Sequence, residues 1–90
     1  MFNYREFYEK QIAFDTDQIA WHREELERIK EEMREARELR GYMIEKGYIE
    51  RGQKTATEKK LMNKRARHYR WIKRYKNWVE YYTKELEKLQ

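Results

Sequence analysis

In Lys59–Leu89, KKLMNKRARHYRWIKRYKNWVEYYTKELEKL, the residues Leu61, Arg65, His68, Ile72, Tyr75, Val79, Tyr82, Leu86 and Leu89 follow one another in steps of four and three. That spacing keeps one face of a helix against a partner helix. Trp71 and Trp78 stand one position before this seam and widen its apolar face beyond what a single partner covers. The seam predicts a long packed helix, and the two tryptophans ask for a second neighbour.

A second seam precedes it: Tyr8, Ile12, Asp15, Ile19, His22, Leu26, Ile29, Met33, Ala36, Arg40 and Met43. Its start is punctuated by Asn3 as cap, Glu6 three residues on, and Phe2 with Phe7 at the positions of a hydrophobic staple. Asp15 with Gln18 resembles a cap, but the seam keeps its register across it, so one uninterrupted helix is expected. Gly41 is a weak point and Gly47 a natural left-handed end. Tyr48 and Ile49 are expected to fold back over the helix ends. Thr55 and Glu58 then form a second capping box.

The reading is an all-α chain, one domain over residues 1–90: an antiparallel hairpin of helices at about 4–46 and 56–89, joined by a short connection. A straight turn pairs residues whose numbers sum to about 102, which puts His22 beside Val79 or Glu80 and His68 roughly 18 Å away along the axis. On that register the two histidines cannot share an ion within one chain. Asp15, His22, Arg65 and His68 are read as polar seam residues that fix register and partner number.

A lone hairpin buries little core per residue. The stripe Tyr4, Phe7, Phe14 and Trp21 on the first helix and Trp71 with Trp78 on the second fall toward the same open end. These six are expected to form a dimer interface, giving a four-helix bundle or coiled coil.

Composition narrows the chemistry. With no Pro, no Cys, three Gly and 43% charged residues, the chain suits long solvated helices and excludes disulfide scaffolds. A mean hydropathy of -1.39 alone suggests disorder, and the periodicity overrides it. The sequence also lacks Ser and any glycine-rich phosphate loop, so nucleophilic triads and P-loops are ruled out by inventory. Neither helix carries Glu-x-x-His or His-x-x-x-His spacing. No catalytic residue, metal site, cofactor or small-molecule substrate is expected. Nor is there a signal peptide or an apolar run long enough to cross a bilayer, so a cytoplasmic, non-enzymatic protein is expected.

Charge gives the positive signal. Residues 1–50 hold nine Lys or Arg against thirteen Asp or Glu, whereas residues 51–76 hold eleven against Glu58 alone. On the second helix Lys60, Asn63, Arg67, Arg70, Arg74 and Asn77 line one outward stripe, flanked by Lys59 and Lys73. Arg and Asn are side chains that grip phosphates and base edges. The expected partners are a second copy of the chain and a nucleic acid held through its phosphates. An interaction module clamping a larger protein is the alternative, and a purely structural oligomeriser the third.

Overall fold

Asn3 begins the first helix because its Oδ1 accepts the Glu6 backbone N–H at 3.0 Å, satisfying a donor with no partner inside the helix. Phe2 and Phe7 close the staple, with ring centroids 5.5 Å apart. The Glu6 carboxylate turns to Lys10 at 2.8 Å, so only half of the expected capping box forms. A computed structural model describes all residues 1–90, with helices α1 (Tyr4–Glu45) and α2 (Ala56–Lys88) and no strand. Neither Asp15 nor Gly41 interrupts α1.

Gly47, at φ 79°, ends α1 in the left-handed region. Its N–H reaches the Ile44 carbonyl at 3.0 Å and that of Tyr48 reaches Met43 at 2.8 Å, the pair of bonds that defines a Schellman end. Thr55 starts α2 with both halves of the capping box: Thr55 Oγ1 accepts from the Glu58 N–H at 3.2 Å, and Glu58 Oε1 accepts from the Thr55 N–H at 3.2 Å. Between the helices Ile49 is half-buried and Tyr48 exposed, so only the isoleucine folds back.

The helices run antiparallel, but in a different register from the one a straight turn implies. His22 meets His68 and Tyr8 meets Tyr82, so facing residues sum to about 90 and not 102. The cause lies in the connection. With facing residues summing to about 90, α2 starts beside the last third of α1 and not at its tip. Arg40 consequently lies beside Glu58, with Nε 3.0 Å from Oε1, and Leu61 packs in one cluster with Ile29, Met33 and Ala36.

That cluster, with Ile19 and Ile72, is all of the buried apolar core, and Ile29 is its only fully enclosed side chain. The rod measures 69 × 17 × 16 Å, and its radius of gyration is 20.2 Å, against about 12 Å for a compact chain of this length. It exposes 7422 Å², where a compact protein of this mass exposes roughly 5,800 Å². Neither helix is long and apolar enough to cross a membrane.

Candidate functional site

Three features stand out on the hairpin, two on its outer faces and one in its seam. The outer back of α2 carries Lys59, Lys60, Asn63, Arg67, Arg70, Lys73, Arg74 and Asn77, and all eight are exposed. Lys59 to Asn77 covers roughly 27 Å of helix axis. No carboxylate neutralises these cations: every ion pair but Arg40–Glu58 lies within a single helix, on α1 or in the last three turns of α2. The separation follows from the sequence. Arg34 pairs with Glu31 and Glu38 at helical spacing, while none of the α2 cations from Lys59 to Arg74 has an acidic residue three or four positions away.

The second surface is aromatic. Tyr4, Phe7, Phe14 and Trp21 from α1 and Trp71 and Trp78 from α2 line one flank of the open half, between 37% and 56% exposed. The register brings the two helices' rings together across the seam: Phe7 and Trp78 both pack on Tyr82, at 6.1 and 5.6 Å, while Trp71 lies parallel to His22 and Trp21 tilts against His68. Tyr81, edge-on to Trp78 at 5.9 Å and 50% exposed, extends the flank. Its spacing three residues beyond Trp78 is the sequence signal for including it. The aromatic flank and the basic back share a border, where the Arg74 guanidinium stands 5.1 Å from the Trp71 ring centre.

No family model, curated protein or solved structure matches this chain.

The third feature is polar and sits in the seam, where the straight-turn register hid it. His22 Nδ1 and His68 Nδ1 are 2.8 Å apart, a hydrogen bond in which one ring donates and the other accepts. The pair sits among Trp21, Trp71 and Tyr75. At this separation the two nitrogens are hydrogen-bond partners across the seam. No group of three or more His, Cys, Asp or Glu gathers anywhere in the hairpin to hold a metal. Asp15, 4% exposed, keeps Oδ2 without a partner, and burial raises its carboxyl above the ordinary aspartate range.

Proton linkage follows from this pair. Burial lowers the proton affinity of His22 below the ordinary histidine range, the neighbouring His68 lowers it further, and Glu25 acts in the opposite direction. From α2, His22 meets only His68 and the uncharged rings of Trp71 and Tyr75. The unfolded chain therefore binds more protons as pH falls, so the stability is present above the ordinary histidine pKa of 6.5 and is lost as pH drops from there toward the folded value. Asp15 has the opposite sign: its contribution is present below 3.8 and is lost as pH rises through the elevated folded value, so it partly offsets the loss at the acidic end.

Charging His22 in its buried site lowers the stability of the folded chain, so thermal unfolding followed by circular dichroism is expected to give a lower Tm at pH 5.5 than at pH 7.5, and the His22→Leu/His68→Leu double variant is expected to be flat. An equal fall in both would assign the effect elsewhere.

Proposed function

We propose that the chain is a non-enzymatic nucleic-acid-binding protein that dimerises through its aromatic flank and holds phosphates along the back of α2. One observation carries the reading. None of the eleven Lys and Arg side chains between Arg51 and Lys76 is paired with a carboxylate, although the same chain pairs cations freely elsewhere. Mutual repulsion among unpaired like charges costs stability, and a polyanion removes that cost while releasing its counterions. Arg67, Arg70 and Arg74 are the central contacts, with Lys60 and Lys73 at the edges. Contacts of this kind position a backbone without reading bases, so sequence preference is weak.

The dimer supports the reading through area. The excess of exposed surface over a compact chain, roughly 1,600 Å², is about twice the roughly 800 Å² that each partner buries in a standard interface. Pairing along the aromatic flank leaves Lys59 and Lys73 outward and brings Arg67 and Arg74 to the edge of the interface.

Fluorescence anisotropy against labelled duplex DNA, single-stranded DNA and RNA tests the proposal. Affinity is expected to fall by about 10³-fold or more between about 50 and 200 mM salt, as for a protein making six or more phosphate contacts. Absence of binding to all three at low salt overturns it. The alternative, a module that clamps a larger protein, draws support from the exposed tryptophans and the Arg74–Trp71 stack, residue types that dominate protein hot spots. It expects weak salt dependence and a few dominant aromatic positions.

A further inference from the structure

Opposite the aromatic flank, the other side of the seam is cationic from both helices. Arg23, Lys30 and Arg37 of α1 and, beside the uncharged Met62 and Tyr69, Lys76 of α2 take flanking positions there, with Arg65 in the seam. In a helix pair such positions usually carry opposite charges that bridge the seam. Here these five charged residues are all positive, and none pairs with a carboxylate.

Around Arg65 the flank opens into a cleft of about 410 Å³, bounded by Glu27, Lys30, Met33, Arg37 and Tyr69. The Arg65 side chain is half-buried, and its only hydrogen-bond partner is the Met33 sulfur, 3.7 Å from Nη1. A thioether is a poor acceptor for a guanidinium. No carboxylate pairs with this half-buried guanidinium, and Lys30, Arg37 and Tyr69 line the same space.

We propose that this cleft is a phosphate-binding site. Two guanidinium forks and an ammonium in the lining carry only donors, and the Tyr69 hydroxyl can donate as well, which suits a phosphate dianion that accepts on every oxygen. Glu27 is the one opposing charge, leaving the lining two charges positive. The site is distinct from the basic back of α2: Lys30 and Arg37 belong to α1, and Arg65 projects from the seam. The phosphate comes either from a nucleic-acid backbone reaching around α2 or from a free phosphate compound.

Inorganic pyrophosphate, titrated calorimetrically into the full chain at low salt while the arginine Nε–H resonances are followed by NMR, tests the site without a nucleic acid. Saturation at one site per chain is expected, with the largest shift at Arg65. Arg65→Met and Arg37→Gln should each weaken binding by about tenfold, the usual loss with a charge-assisted hydrogen bond. Glu27→Gln should tighten it, and Arg5→Gln, at the exposed start of α1 and far from the cleft, should leave it unchanged. Wild-type affinity in both Arg65→Met and Arg37→Gln, or shifts spread evenly over all arginines, overturns the proposal.

Competition separates the two sources. If saturating pyrophosphate weakens oligonucleotide binding while Arg65→Met does the same, the cleft holds a backbone phosphate. If pyrophosphate and oligonucleotide bind together, or no oligonucleotide binds at all, the cleft serves a free phosphate compound. The fate of the nucleic-acid reading is thereby scored separately.

Discussion

Reversing Arg67 and Arg70 to Glu is expected to abolish nucleic-acid binding at about 50 mM salt, a loss on the order of a hundredfold or more, with helix content unchanged. Both side chains are exposed on the back of α2 and neither has an intramolecular partner, so the substitution removes no contact that holds the fold. Local helix energetics favour it: a carboxylate at 67 lies one turn from Lys64, and one at 70 lies one turn from Lys73 and Arg74. The effect on binding is much larger, because each reversal replaces a phosphate contact by a repulsion. Losing two contacts also lowers the salt slope by about 1.8 in log K against log salt. Anisotropy titrations at two salt concentrations, with circular dichroism on the same samples, read both quantities. A folded double variant of wild-type affinity would sink the proposed site.

The helix limits and the hairpin could be read from residues with local consequences. Asn3, Thr55, Glu58 and Gly47 act within one turn of themselves, and they cap or end the helices where their spacing predicts. Register is a different kind of quantity. A seam of alternating fours and threes repeats every heptad, so sliding one helix along the other keeps apolar residues facing and changes only which polar ones meet. What distinguishes the observed register is the pairing of odd residues, His22 with His68 and Glu58 with Arg40, together with the meeting of Tyr8 and Tyr82 near the open end. Matching the two seam histidines to each other would have recovered it.

The basic back and the aromatic stripe each lie mostly on one helix and were visible as patterns. The cleft was not, because Lys30, Arg37 and Arg65 stand on different helices and share a space only in this register. His22 and His68 were hidden for the same reason, and their hydrogen bond makes single substitutions at either position a poor test of the seam. Removing one ring leaves the other without its partner.

Truncating Ile29 to Ala is expected to cost about 3 kcal/mol, within the range for opening a cavity at a buried isoleucine. Ile29 is 1% exposed and packs with Met33, Ala36 and Leu61. Ala36 is already the smallest apolar side chain and cannot expand into the space, and Met33 is held from its other side by Arg65. For a 90-residue chain the whole folding free energy is about 5–13 kcal/mol, and a core of six apolar residues places this hairpin at the low end, so one truncation removes a large share. Urea unfolding at two protein concentrations separates this core from the aromatic flank. Ile29→Ala should lower the midpoint by a similar amount at both concentrations, because its contacts lie within one chain. On the proposed dimer, Trp78→Ala, at a side chain 51% exposed in the single hairpin, should cost little when the protein is dilute and more when it is concentrated, because a second copy would cover its remaining surface. A concentration-independent loss at Trp78 would leave the aromatic flank facing solvent or a different protein, and a loss below about 1 kcal/mol at Ile29 would mean that the two helices close over the cavity.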